Sequence, residues 1–280
     1  MARAARPRAV LIGASGRMGR QIVRELACAA SSPAPLTLIG AAASPASSAL
    51  GGDAGVHAGV AALGVRISAE LAPLLEDADV AIDFSRGDAI ESHLADCVEA
   101  GVPLLIGTTG APASLQPAVD AAARRIAVLL APNTSLAVNV LLDLVRRAAQ
   151  ALPDSYEIEI VETHHRHKLD APSGTALALA AAAVEGRNGG PLAERAVYDR
   201  HGVSAARERE QIGIASLRGG DVVGEHQVML LGDGESLALL HRATDRSVFA
   251  RGAALAASWL AAQPPGRYTM QDFISSKSVP

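Results

Sequence analysis

The chain has 280 residues, of which 49% are hydrophobic, 19% charged and only 2% aromatic, with a formal net charge of −4. That is a core-forming globular composition, long enough for one large domain or two of ordinary size, and it excludes a disordered chain. An acidic balance with few aromatics argues against a nucleic-acid or anionic-membrane surface, and no apolar run nears the roughly 20 residues that span a bilayer.

In chain order, the first half alternates short apolar runs with Ala-rich stretches. The spacing predicts strands over Arg8–Gly13, Leu36–Ala42, Asp79–Phe84, Pro103–Gly107 and Ile126–Ala131, with helices over Met18–Ala29, Asp88–Ala100 and Pro112–Arg125. Apolar strands separated by helices read as βαβ units of a parallel sheet covered on both faces. Ser44–Gly64, rich in Ser, Gly and Ala, reads as an irregular loop. Ser135–Leu152 then reads as a long helix with Leu136, Val140, Leu144 and Ala148 on its apolar face. Tyr156–Thr163 alternates as a strand, and a polar loop His164–Ser173 leads into an Ala-rich helix, Gly174–Val184. Three strands follow at Gln211–Arg218, Asp221–Leu231 and Glu235–Arg242, the last two joined at Gly232-Asp233-Gly234. A final helix, Ser247–Leu260, is expected to return to the first domain. The predicted fold is therefore α/β. A Rossmann-like domain of residues 1–134 and 246–280 carries an α+β domain of residues 135–245.

The basic start, Met1 to Arg8, runs straight into the first strand, which leaves no room for a signal-peptide core. Cys28 and Cys97 are far apart and form no CxxC pair, as in a reducing compartment, so a cytoplasmic location is expected.

The run A-V-L-I-G-A-S-G-R-M-G sets Gly13, Gly16 and Gly19 between a strand and a helix, the context in which a glycine loop holds a pyrophosphate at a helix N-terminus. Ser15 occupies the usual middle-glycine position. After the second strand stand Ala43, Ser44, Pro45 and Ala46, with neither the acid that would select NADH nor an arginine that would select NADPH. Arg17 in the loop tilts the balance slightly toward a 2′-phosphate, and the preference between NADPH and NADH stays open.

V-E-T-H-H-R-H-K-L-D-A-P-S-G-T-A is the most informative stretch. Three of the eight histidines fall within four residues, beside Lys168. Of 25 basic residues only Lys168 and Lys277 are lysine, so a lysine retained here calls for a chemical reason. Imidazoles near neutrality and a proton-donating or carboxylate-holding lysine suit acid–base work on a dicarboxylate. Ser173, Gly174 and Thr175 open the next helix, where free N–H groups and small hydroxyls make an anion pocket. Zinc on His164, His165 and His167 is disfavoured, because neighbouring residues on a strand end point in different directions and no ligand-spaced Cys or Glu accompanies them. No metal is expected. A solvated basic loop, a homoserine or aspartate-semialdehyde dehydrogenase and a non-catalytic nucleotide sensor remain as rival readings.

The segment E-T-H-H-R-H-K-L-D-A-P-S-G-T-A closely resembles the signature of the dihydrodipicolinate reductase family. V-L-I-G-A-S-G-R-M-G, A-I-D-F-S, I-G-T-T-G (Ile106–Gly110), A-P-N-T-S (Ala131–Ser135), G-D-V-V-G-E-H and F-A-R-G-A resemble further family segments in the same order. The resemblance implies reduction of 4-hydroxy-tetrahydrodipicolinate, or its dehydrated form, by NADPH or NADH on the route to diaminopimelate and lysine. It implies His164 as catalytic histidine, Lys168 as proton donor, and His165, Gly174 and Thr175 as substrate-carboxylate contacts. Gly13, Ala14, Ser15, Gly16, Arg17, Met18, Gly107, Thr108, Thr109, Ala131, Pro132, Asn133 and Thr134 are implied cofactor contacts, with Ser44 at the ribose. The family's acid and arginine are replaced here by Ser44-Pro45. The resemblance further implies a homotetramer assembled through the second domain's sheet, for which the apolar Val222, Val223, Val228, Leu230, Leu237 and Leu239 are candidates. Those six could equally be the sheet's internal face.

Overall fold

The structure, a computed structural model, describes residues 6–28, 35–108, 110, 112, 114–202 and 205–276. The expectations placed on Met1–Ala5, Ala29, Thr109, Ala113 and Lys277 lie outside those residues. The chain divides into two compact units, Met1–Leu136 with Ser247–Pro280, and Ala137–Arg246.

The first unit runs β1 (Arg8–Ile12), α1 (Arg17–Ala27), β2 (Thr37–Ala42), α2 (Ala54–Ala58), β3 (Ile67–Ser68), α3 (Ala72–Leu75), β4 (Val80–Asp83), α4 (Ile90–Ala100), β5 (Leu104–Ile106), α5 (Leu115–Ala122) and β6 (Ala127–Leu130). The second unit holds α6 (Leu136–Ala151), β7 (Glu157–His164), α7 (Gly174–Gly186), β8 (Ala196–Val197), β9 (Ile212–Arg218), β10 (Gly224–Gly232) and β11 (Glu235–Ala243). The chain closes in the first unit with α8 (Ser247–Leu260), β12 (Gly266–Tyr268) and α9 (Met270–Ser275).

In the first unit seven parallel strands lie in the order β12-β6-β5-β4-β1-β2-β3. Val10, Leu11, Val80, Ala81, Ile82, Leu104, Leu105 and Ile106 are buried almost completely, as a parallel sheet covered on both faces requires. The apolar strand runs in the sequence are legible for that reason. Short elements were not: β3, α3, β12 and α9 carry too few residues for a periodic signal. Within the segment read as loop, Asp53 caps α2 by accepting from the Val56 N–H at 3.1 Å. The rest of that segment is irregular.

In the second unit the sheet order is β11-β10-β7-β9-β8. The sheet is mixed: β7 inserts between β10 and β9, antiparallel to one and parallel to the other. The last two strands, β10 and β11, form a hairpin, with Gly234 at φ +83°. Helix α7 buries Ala176, Leu179, Ala180, Ala183 and Val184, a stripe at helical spacing. Helix α6 corrects the expected stripe. It buries Val138, Leu141, Val145 and Ala149, whereas Val140 and Leu144 are exposed. The helix is apolar on two adjacent rows, so composition alone could not say which row meets the core. Val228 and Leu230, two of the interface candidates, are completely buried in the unit's own core with Ile158 and Ile160.

Backbone contact sets one residue of α8. A Cβ at Gly252 would stand 1.8 Å from the Thr134 carbonyl oxygen. Gly252→Ala is expected to cost roughly 1–3 kcal/mol or more and to lower Tm by about 2–4 °C for each kcal/mol, read by thermal unfolding. An unchanged Tm would refute the close packing.

Candidate functional site

The glycine loop leaves β1 through Gly13 at φ +83°, where a Cβ would lie 2.6 Å from the Phe84 carbonyl oxygen. The Gly13 and Ala14 N–H groups both donate to Ala42 O at 2.9 Å, and a Cβ on Gly19 would lie 2.2 Å from Gly13 O. These two glycines therefore bring helix and strand together. Gly16 differs: it is the exposed N-cap of α1, and no side chain caps that helix and no acid stands in its first turn. Arg17 is exposed beside it. An uncapped eleven-residue helix on an open glycine is a cradle that suits a pyrophosphate. Ser15 is half-buried, its carbonyl 3.4 Å from His57 Nε2 of α2. Ser44 is exposed at the end of β2 and accepts weakly from the Ala46 N–H at 3.4 Å.

At the carboxyl ends of β4 and β5 the expected contacts have partners of their own. Thr108 is buried, and its Oγ1 lies 3.3 Å from Asp83 Oδ1. Asp83, wholly buried, also accepts from the Ser85 N–H at 2.7 Å, and its Oδ2 lies 2.8 Å from His93 Nδ1. The Phe84 ring fills the space that a Cβ on Gly107 would need, at 2.2 Å. Thr109 is outside the described residues. Beyond β6, Ala131 is buried, Pro132 is exposed, Asn133 Oδ1 accepts from the Ser135 N–H at 2.9 Å, and buried Thr134 donates to Phe249 O at 2.7 Å.

In the second unit the residues of the histidine segment converge. β7 faces its core with Ile158, Ile160 and Glu162, and Glu162 has no exposed surface. Its Oε2 lies 2.5 Å from His164 Nδ1 and accepts from Arg218 Nη1 at 2.9 Å. Its Oε1 accepts from Arg218 Nη2 at 2.8 Å and from the Ser173 N–H at 3.1 Å. Burial pushes the Glu162 carboxyl up, but hydrogen bonds from Arg218, His164 and Ser216 outweigh that and bring it down to about 2. His164 is lowered by its own burial, against the pull of Glu162.

Ser173 caps α7, its Oγ accepting from the Ala176 N–H at 3.1 Å and lying 3.1 Å from His226 Nε2. His226 is buried, edge-on to the His164 ring with centroids 5.2 Å apart, and its burial lowers it to about 4. Gly174 is exposed with nothing near its Cβ position, and Thr175 is half-buried beside it. Lys168 Nζ donates to both Asp170 oxygens at 2.9 and 2.8 Å. His165 is half-buried, its ring 6.3 Å from that of His167. Arg166 braces the loop by donating from its backbone and its Nε to Gly220 O.

Sequence reasoning therefore missed Glu162, Arg218, His226, Asp83 and His93. The signal for Glu162 and Asp83 was present: Asp83 is the one acid in an otherwise apolar strand, and Glu162 is the one acid in the inward phase of an alternating strand. Among the described residues no three His, Cys, Asp or Glu side chains are grouped to hold a metal ion, and no helix is long and apolar enough to cross a membrane.

Both buried groups predict acid sensitivity. Unfolded His226 takes up a proton below 6.5 that the native ring refuses down to about 4. Unfolded Glu162 does the same between 4.5 and about 2. Each has a depressed native pKa, so its stabilisation is present at neutral pH and is lost as pH falls through its window. Denaturant titrations should show stability falling below pH 6.5 and again below 4.5, and Glu162→Gln should remove up to one proton from the second slope, about 1.4 kcal/mol per pH unit. Unaltered slopes in that variant would contradict the assignment.

Comparison with known proteins bears on both units. Residues 7–134 match the model of the dihydrodipicolinate reductase N-terminus, and residues 137–274 match that of the C-terminus. The 4-hydroxy-tetrahydrodipicolinate reductase of Anaeromyxobacter dehalogenans (strain 2CP-1 / ATCC BAA-258) is 49% identical over 265 residues, 95% of this chain and 96% of that protein. The protein of the same name from Acinetobacter baumannii (strain AYE) is 44% identical over 277 residues, 98% of each chain. Among solved structures, a dipicolinate-bound dihydrodipicolinate reductase from Paenisporosarcina sp. TG-14 shares the fold at a TM-score of 0.72 and 22% identity, over 95% of this chain and 98% of that one.

Proposed function

This chain belongs to the dihydrodipicolinate reductase family, and we propose that it reduces 4-hydroxy-tetrahydrodipicolinate, or its dehydrated form, to tetrahydrodipicolinate on the route to diaminopimelate and lysine. The observation that carries this reading is the convergence of His164 and the Ser173 cap of α7 on one buried carboxylate, in the segment that also bears Lys168. A dicarboxylate needs an anion pocket and a proton source, and this segment offers both.

A reduced nicotinamide, NADPH or NADH, supplies the hydride when bound. Gly13, Ala14, Ser15, Gly16, Arg17 and Met18 would hold its pyrophosphate, with Ser44 toward the ribose. Gly107, Thr108, Thr109, Ala131, Pro132, Asn133 and Thr134 would border the nicotinamide side. The proton comes from the Lys168/His164 pair, while His165, Ser173, Gly174 and Thr175 hold the substrate carboxylates. The first unit is accordingly the dinucleotide-binding part, and the second the substrate-binding part. Exposed Arg17 and the lack of an acid after β2 favour NADPH without excluding NADH.

A cytoplasmic homotetramer completes the proposal. The sheet face opposite α7 presents Leu217 and Leu240, both exposed, with half-buried Val161 and Met229. Light scattering of the pure protein should return four times the chain mass, and a monomer would refute assembly.

The activity test uses substrate generated in situ from pyruvate and aspartate semialdehyde by the preceding synthase, with NADH and NADPH followed in parallel. Oxidation that depends on the complete mixture is expected, faster with NADPH. Lys168→Ala should lower turnover by roughly 10²–10⁴-fold, the usual worth of a placed proton donor, with cofactor binding intact. Near-normal turnover in that variant would sink the assignment of Lys168.

A further inference from the structure

Resting on the reading of His164 and Lys168 as the residues that meet the substrate, we infer that Glu162 is a positioning residue: it holds the His164 proton on Nδ1, so that Nε2 offers the substrate a lone pair and, of the two, Lys168 delivers the proton.

Both Glu162 oxygens are engaged by donors, Arg218 Nη1 and Nη2, the Ser173 N–H and His164 Nδ1. An ionised carboxylate only accepts, so a nitrogen 2.5 Å from it must carry hydrogen. The carboxyl titrates at about 2, and is therefore an anion at working pH.

Nε2 is the other ring nitrogen of His164. A proton there would make the ring a cation. Half-burial, Lys168 on the loop and Arg218 on β9 oppose that charge, and His226 on β10 brings none. Glu162 favours it, but its charge is already matched by the two-pronged Arg218 contact. The neutral ring with bare Nε2 is the state that these neighbours select.

Protons and electrons then balance without His164 changing state. On the dehydrated substrate, hydride that the bound nicotinamide would supply adds to the ring, and the displaced π electron pair takes a proton from Lys168 Nζ as that N–H bond breaks. Lys168, left as an amine, recovers its proton from water, which reaches the exposed Asp170 beside it. His164 accepts a hydrogen bond throughout.

The test is a long-range nitrogen–proton NMR spectrum of the full chain labelled with ¹⁵N-histidine, with His164 assigned by its loss in His164→Asn. Nδ1 protonated and Nε2 bare across about pH 6–8 is expected. Glu162→Gln, whose amide can donate, should move the proton to Nε2 and lower kcat by roughly 10²–10⁴-fold with little change in cofactor KM, as a wrong tautomer does in a catalytic triad. Glu162→Asp, which keeps an acceptor, should retain the Nδ1–H form and more of the activity. The wild-type spectrum decides the matter even if a variant fails to fold. An imidazolium or an Nε2–H tautomer in active wild type overturns the inference and spares the functional reading. Wild type that is Nδ1–H yet turns over no substrate overturns the functional reading instead.

Discussion

One buried anion organises the second unit. Placing a carboxylate with no exposed surface at the inward end of β7 would be prohibitive unless it were matched, and Arg218 matches it with two parallel hydrogen bonds. That requirement fixes strand register. Glu162 pairs across from Ser216, with Arg218 two residues on and on the same face. A slip of one residue would turn Glu162 to the open face and strand the guanidinium inside. The pairing continues past the strand ends, where the Gly219 N–H donates to His164 O at 2.9 Å and the Arg166 N–H to Gly220 O at 3.2 Å. Arg218 also donates to Asp170 O at 2.6 Å, which ties the Lys168 loop to the same charge. Two strand ends, a loop and the N-cap of α7 are thus held by one ion pair.

The first unit uses the same device on a smaller scale. Asp83 ends β4 as the one acid in a run of four buried residues, and gathers His93, the Ser85 N–H and Thr108. Next to it, Phe84 brings its carbonyl against Gly13 and its ring against Gly107. The glycine loop and the β5 turn are therefore braced from the same strand end. Residues that a motif reading assigns to a ligand are partly there to let these side chains in. Gly107 is glycine because of an aromatic ring, whereas Gly16, with only Gly13 O near its Cβ position at 3.2 Å, is the one left open.

What was legible in the sequence follows from these forces. A parallel sheet covered on both faces writes itself as continuous apolar runs, so β1, β2, β4, β5 and β6 were readable to within a residue or two. Strand order in the second unit was not, because hydrophobic alternation says which residues face inward and nothing about which strand lies beside which. The His164–Thr175 segment was singled out through residue chemistry and resemblance, and the partners that hold it were not. Arg218 lies 56 residues from Glu162, and nothing in a local window links an arginine among many to one glutamate. The inward phase of Glu162 was the only local clue. For α6 the two adjacent apolar rows left the burial phase to tertiary packing.

The two cations of this region show why the chain keeps both arginine and lysine. Arg218 must stay charged while largely buried, since losing its proton would orphan Glu162, and a guanidinium does not deprotonate in proteins. Its fork also meets two carboxylate oxygens and a loop carbonyl at once, which an ammonium point charge would do less well. As the proposed proton donor, Lys168 has the opposite task. A proton donor must be able to lose what it carries, and an amine does so where a guanidinium will not. Its partner reflects this: Asp170 is exposed, so the Lys168 pair can open in water, whereas Glu162, the partner of Arg218, has no exposed surface. On the proposed roles, exchanging the two residues would preserve net charge and remove both, one by breaking a buried fork and the other by fixing a proton that has to move.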